Sequence, residues 1–252
     1  MTHGSPTPSS FLVVVGGDPG AAVALPTRAE LTGTVVVAAD SGVDRALAAG
    51  LHVDHVVGDL DSATPSGVAA AEAAGATVHR HEADKDATDL ELALDLVRDL
   101  AGDREPRPAL LVVGSGGGRL DHQLADLLAL AAPPLAAFAV TARFGEATAT
   151  VVRPGRPCTL VGRPGEQVSL LPVHGLATGV NTAGLRWALV DADLVPGTTR
   201  AMSNELIGTA GTVTVSAGVL LALQPGTVSP PIAERTTPYD PTPRTADPRS
   251  HP

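Results

Sequence analysis

The chain has 252 residues, of which 44% are hydrophobic and only 2% aromatic, and its formal net charge is −10. That length accommodates one large domain or two modest ones with ample core, and the acidic balance, with no Lys/Arg run, argues against a nucleic-acid partner. Cys158 is the only cysteine, which rules out an intrachain disulfide and a cysteine-based zinc site and leaves the thiol as a small buried apolar residue.

Residues 1–10 lack a basic stretch followed by an apolar one, and the longest apolar run, 127–140, is too short for a span and is broken by Pro133-Pro134. A soluble cytoplasmic protein is expected, with no membrane partner. The first apolar run, 11–15, ends in Gly16-Gly17-Asp18. The second, 34–38, ends in Ala39-Asp40-Ser41-Gly42 and leads into a helix over 43–49. The third, 52–57, ends in Gly58-Asp59-Leu60-Asp61-Ser62 before a helix over 65–74. A fourth, 76–79, precedes Asp84-Lys85-Asp86-Ala87-Thr88-Asp89 and a helix over 88–100, which the Thr88 hydroxyl and the early carboxylates Asp89 and Glu91 suit at its N-terminus. The fifth, 109–113, runs into Gly114-Ser115-Gly116-Gly117-Gly118-Arg119-Leu120-Asp121-His122 and a helix over 120–130, and 136–141 adds a further strand.

Near-continuous apolar strands alternating with helices predict an α/β unit over 11–150, a Rossmann-like parallel sheet with helices on both faces. Ligands of such sheets bind outside the carboxyl ends of the strands, so the polar clusters should converge there. After Arg153-Pro154-Gly155-Arg156-Pro157 the pattern changes to short β-prone runs at 167–171, 186–190, 211–216 and 219–224. These predict a small all-β sandwich or barrel-like domain over 151–228. The Pro-rich remainder, 229–252, reads as a disordered tail.

Carboxylates dominate the candidate chemistry. Asp59 and Asp61, two apart on an extended segment, point the same way and can share one Mg²⁺ through oxygen ligands, although Asp61-Ser62 can also simply start the turn before the next helix. Asp84, Asp86 and Asp89 repel one another unless a cation sits among them, and Asp89 in the first helical turn is the favoured ligand. Lys85 is the only lysine among 17 Lys and Arg residues and suits a phosphate, or else survives on a solvated loop. The glycines before Arg119 resemble an anion cradle with a bidentate guanidinium, but neither a dinucleotide fingerprint nor a Walker A loop fits the spacing. Asp121 at a helix start serves as ligand or cap, and His122 alone reads more readily as a satisfied histidine. In the second half Trp187, the only tryptophan, is core or a stacking face, and Ser203-Asn204 either hydrogen-bonds a ring or makes a turn.

Together these segments, with Gly184-Leu185-Arg186-Trp187, resemble the thiamine pyrophosphokinase family over residues 11–224 in motif order and spacing. The resemblance implies transfer of the terminal diphosphate of ATP to the hydroxyl of thiamine, giving thiamine diphosphate and AMP with Mg²⁺ required. It implies Asp59, Asp61 and Asp89 as the Mg²⁺ and phosphate-site carboxylates. Asp40, Ser41, Gly42, Lys85, Thr88, Arg119, Asp121 and His122 would lie on the ATP side, and Trp187, Ser203 and Asn204 in the thiamine pocket. It further implies a homodimer with thiamine between the first domain of one subunit and the second domain of the other. Ser41, Asp44 and Ala87 depart from the family pattern, where Gly, Asn and an aromatic residue are usual. Three other readings compete: a pterin-alcohol diphosphokinase, a non-catalytic nucleotide or thiamine diphosphate binder, and a dinucleotide-dependent oxidoreductase, which lacks its glycine fingerprint.

Overall fold

The computed structural model describes residues 8, 10–17, 24–82, 86–103, 108–114, 116 and 119–226. Six strands, β1 (Ser10–Val15), β2 (Thr34–Ala39), β3 (His55–Gly58), β4 (Thr77–Arg80), β5 (Ala109–Gly114) and β6 (Ala139–Phe144), alternate with four helices, α1 (Gly42–Ala48), α2 (Pro65–Ala73), α3 (Asp89–Ala101) and α4 (Leu120–Leu130). The strands lie in the order β4-β3-β2-β1-β5-β6, all parallel. The chain therefore travels outward from β1 to β4 and then returns to the other side of β1. That reversal makes a crevice at the carboxyl ends of the central strands, where open α/β sheets take their ligands.

Strand composition explains the two covered faces. Phe11, Val13, Val37, Leu110 and Val112 pack beneath Leu90, Ala93, Leu94 and Val97 of α3. The alternate residues Leu12, Val14, Val36 and Ala38 pack beneath Val43 and Ala46 of α1 and Val68 and Ala71 of α2. Each of the larger side chains so buried contributes ~1.5–3 kcal/mol, which holds the strand ends in place for the polar loops that follow. Helix α4 is different: Leu130 is its only buried residue, whereas Leu120 is 78% and Leu124 57% exposed. No described helix is long and apolar enough to cross a membrane.

The β6 hairpin turns at Gly145 (φ 61°) into β7 (Ala147–Val152) and carries the sheet into a second unit. That unit comprises β8 (Cys158–Val161), β9 (Gln167–Ala183), β10 (Ala192–Leu194), β11 (Asn204–Glu205), β12 (Ala210–Thr214) and β13 (Ala217–Gln224). Its core is separate, built on Leu160, Val168, Leu170, Val180, Leu185, Leu194, Leu206, Val213 and Leu220, with Cys158 buried at its edge. Strand β9 pairs with β13 over 169–173 and at Thr178, with β12 over 181–183, and with the short β10 and β11, so one long strand serves four neighbours.

Two expectations need correction. The strand predicted over 167–171 is only the opening of the 17-residue β9, whose backbone passes through His174 (φ 60°), Gly175 (φ 139°) and Gly179 (φ 63°) without ending. The strand predicted over 186–190 does not form. Gly184 (φ 72°) turns the chain, the Trp187 amide is taken by the Asn204 side chain rather than by a ladder, and Val190 is 80% exposed. The tail expected over 229–252 lies outside the described residues.

Candidate active site

Asp40, Asp59 and Asp61 meet at the carboxyl ends of β2 and β3, where each offers a carboxylate oxygen within 4.8 Å of the other two. Asp40 leaves β2 in the left-handed region (φ 48°), a conformation few non-glycine residues adopt, and its amide donates to Val57 O at 2.8 Å. It is only 9% exposed, and its Oδ1 is buried without a hydrogen-bond partner. Burial pushes the Asp40 carboxyl above the usual range; the Asp89 and Asp61 charges add to this, while the Ser41 amide and Ser62 hydroxyl oppose it.

The Asp59–Asp61 geometry arises differently from the extended segment expected of the sequence. Leu60 sits at φ 63°, and the Asp61 amide donates to Asp59 Oδ1 at 3.2 Å, closing a tight turn that folds one carboxylate back toward the other. The Ser62 hydroxyl donates to Asp61 Oδ1 at 2.9 Å. Gly58, at φ 141°, lets this turn close: a Cβ there would lie 2.9 Å from Asp89 Oδ1 and 3.4 Å from Asp40 Cβ. Asp89 thus borders the trio from the start of α3. Thr88 fixes that start by accepting from the Glu91 amide at 3.2 Å.

An unpartnered oxygen on a buried carboxylate, with two more carboxylates beside it, is unfavourable without a cation and suits a hard divalent one. The residues present therefore fit such an ion. Asp40 was expected on the nucleotide side; its ligand-like burial and backbone conformation were not legible in the sequence.

Neighbouring predicted residues fall into two groups. Gly42 is buried, and any side chain there would run into the Val14 carbonyl, so its lack of a side chain lets α1 begin directly against β1. Ser41 lies over Gly16 in the loop after β1. Asp44, one of the departures, accepts from the Thr64 amide at 2.8 Å and from the Thr64 hydroxyl, which ties α1 to the capped start of α2. At the start of α4, Arg119 Nη2 donates to Asp121 Oδ2 at 2.6 Å and Nε to Oδ1 at 3.2 Å. This forked pair holds the Asp121 carboxyl down to about 2, although both side chains are more than half exposed. His122, next along the helix, is exposed. Lys85, Asp84, Gly117 and Gly118 lie outside the described residues.

A second constellation forms on the β unit. Asn204, 4% exposed, accepts from the Trp187 amide at 3.1 Å and donates to the Trp187 carbonyl at 2.7 Å. Its carboxamide therefore clasps the Trp187 backbone, and the indole stands 52% exposed. Ser203, exposed at φ 53°, precedes it and donates its amide to Ser169 Oγ. Two residues that the sequence reading quoted within these motifs but gave no role complete the group: Arg186 Cζ lies 5.0 Å from the indole centroid, and Arg186 Nη1 donates to Glu205 Oε2 at 2.9 Å. Their signal in the sequence is their place beside Trp187 and Asn204, Arg186 within the Gly184-Leu185-Arg186-Trp187 motif.

Two family models match this chain in succession, the thiamin pyrophosphokinase catalytic domain over residues 31–138 and the thiamin pyrophosphokinase vitamin B1 binding domain over 159–220. A thiamine pyrophosphokinase of Bacillus subtilis is 27% identical over 192 residues, which is 76% of this chain and 87% of that one. Among solved structures, a thiamin pyrophosphokinase family protein from Enterococcus faecalis superposes with a TM-score of 0.71 at 26% identity, covering 88% of this chain and all of the other. A thiamin pyrophosphokinase from Geobacillus thermodenitrificans superposes with a TM-score of 0.68 at 27% identity, covering 87% and 99%.

Proposed function

The chain belongs to the thiamin pyrophosphokinase family, and from that premise we propose that it transfers the terminal diphosphate of ATP to the hydroxyl of thiamine, releasing AMP. The observation that carries the reading is the Asp40–Asp59–Asp61 cluster, with its buried unpartnered oxygen, at the strand ends of the catalytic unit.

Asp40, Asp59 and Asp61 would hold Mg²⁺, with Asp89 completing the acidic wall around the phosphates. Bound there, the ion would neutralise phosphate charge and stabilise the diphosphate as charge develops. The thiamine hydroxyl oxygen forms a bond to the β-phosphorus as the bond from that phosphorus to the oxygen bridging the α-phosphate breaks; AMP leaves with that oxygen, and the hydroxyl proton passes to solvent. Such a transfer needs positioning and charge stabilisation more than a strong base. Asp59, Asp61, Asp89, Lys85 and Asp121 form the catalytic set.

Arg119 suits the phosphates of ATP because its present partner is an exposed carboxylate, and exposed ion pairs are weak enough to exchange. Ser41, Gly42, Thr88 and His122 line the nucleotide side. Trp187 presents its half-exposed ring to thiamine with Ser203 beside it, while Asn204 sets the ring's position through the backbone.

We place residues 11–150 and 151–228 as the ATP and thiamine units. The active assembly in this reading is a cytoplasmic homodimer, with thiamine between the first unit of one subunit and the second unit of its partner. An indole exposed on the β unit, rather than packed in its core, supports that arrangement. The test is incubation with ATP, thiamine and Mg²⁺ followed by mass-resolved chromatography, with a metal-free control. Equimolar thiamine diphosphate and AMP are expected. ADP with thiamine monophosphate would keep the site and overturn the reaction, whereas turnover of a pterin alcohol instead would move the chain to a different substrate.

A further inference from the structure

One face of the Trp187 ring carries a cation. The Arg186 guanidinium lies 5.0 Å from the ring centroid and is anchored at 2.9 Å by Glu205. The two residues are also joined along the backbone, since the Arg186 amide donates to the Glu205 carbonyl at 2.9 Å and Leu185 bridges to Leu206. Asn204 clasps Trp187 from the same strand. Ring, guanidinium and carboxylate are therefore held in register by one short stretch of sheet rather than by chance contacts of long side chains.

A cation over an aromatic face is attracted by the ring quadrupole, and the attraction is available to one cation at a time on that face. We propose that Arg186 is the affinity-setting residue of the Trp187 face: its guanidinium is a resident competitor that a cationic aromatic ligand must displace. This rests on the reading of Trp187 as the thiamine-binding face. The exchange replaces one cation with another beside Glu205, so a positively charged ring such as a thiazolium can take the place without stranding the carboxylate. A neutral ring that displaced the guanidinium would leave the indole without its cation and would gain nothing from Glu205. Arg186 thus lowers affinity for every ligand that takes this face, and an aromatic cation recovers part of that cost by pairing with Glu205.

Trp187 is the only tryptophan, so quenching of its emission reports occupancy of this face directly. The full chain, Arg186→Met and Arg98→Met are each titrated with thiamine and with an N-methylthiazolium salt, and thiamine turnover by the unaltered chain is measured in parallel. Arg98, an exposed α3 residue paired with Asp95, controls for the loss of one positive charge. Removing a resident cation–π partner at an exposed site should tighten binding of both ligands by about two- to fivefold in Arg186→Met, while Arg98→Met binds like the unaltered chain. Arg186→Gln serves as a second variant with the same expectation. Unchanged or weaker binding in both Arg186 variants overturns the displacement, even if the unaltered chain turns thiamine over. Equal tightening in Arg98→Met also overturns it, by assigning the effect to net charge. Tighter thiazolium binding in a chain that fails to turn thiamine over would leave the displacement standing and remove the thiamine reading.

Discussion

Asp89 places a carboxylate oxygen 2.9 Å from where a side chain on Gly58 would begin, so the acidic wall closes over a position that only glycine fills comfortably. The backbone there is at φ 141°, which L side chains rarely adopt. Gly58→Ala should therefore be destabilising by ~1–3 kcal/mol and should push Asp89 and Asp40 apart. Thermal unfolding measures the first effect, and the Mg²⁺ dependence of turnover measures the second. A variant with unaltered stability and metal dependence would show that the wall has slack.

Asn204 holds the backbone of Trp187, with both ends of its buried carboxamide committed. Asn204→Ala leaves the Trp187 amide and carbonyl without those partners and should cost ~1–3 kcal/mol. The thiamine KM should rise while the KM for ATP stays near that of the unaltered chain, because the loosened element is the Trp187 turn. Acrylamide quenching of Trp187 should increase in parallel; a rise in KM without it would point to direct contact with thiamine instead.

Asp40 gives the metal-free protein a particular pH dependence. Its folded-state carboxyl is raised from an ordinary value of 3.8, chiefly by burial, so the folded protein holds this proton more tightly than the unfolded chain does. Its contribution to stability is full below the ordinary value and is lost as pH rises through the raised one. A divalent cation that binds the ionised form reverses this. The upward shift of Tm on adding Mg²⁺ should be larger at about pH 7 than at about pH 4. An equal shift at both, read by calorimetry, would detach Asp40 from the cation.

Asp44 ties α1 to the start of α2 through Thr64. Asp44→Ala removes both bonds to Thr64 at the start of α2 and should cost ~1–2 kcal/mol. Scanning calorimetry should show that loss, with the ATP KM changed less than the stability. A large ATP effect at unchanged Tm would instead place Asp44 on the nucleotide side.

The parallel sheet was legible because runs such as 11–15 and 109–113 are apolar on both faces, a signature that a half-solvated strand does not give. Asp59 and Asp61 were legible as a pair, though for the wrong local geometry: a left-handed Leu60 and an aspartate turn, rather than an extended segment, bring them together. Asp40 as a partner of that pair was hidden, since its burial and left-handed backbone are tertiary consequences of β2 ending beside β3. The β unit was least legible. The run at 167–171 reads as a short strand but continues through Gly175 and Gly179 as β9, and 186–190 reads as a strand but is held as a turn by Asn204, seventeen residues beyond Trp187.

The most direct test of the account compares the unaltered chain with Asp40→Asn for Mg²⁺-dependent formation of thiamine diphosphate and AMP, with thermal unfolding of each in the absence of metal. Asparagine keeps the shape of the side chain but removes the buried charge. Turnover should fall by about a hundredfold or more, while the metal-free protein unfolds at the same or a higher temperature. Turnover within about twofold of the unaltered chain, at the same Mg²⁺ requirement, would contradict the assignment of the Asp40–Asp59–Asp61 cluster as the cation site of the reaction.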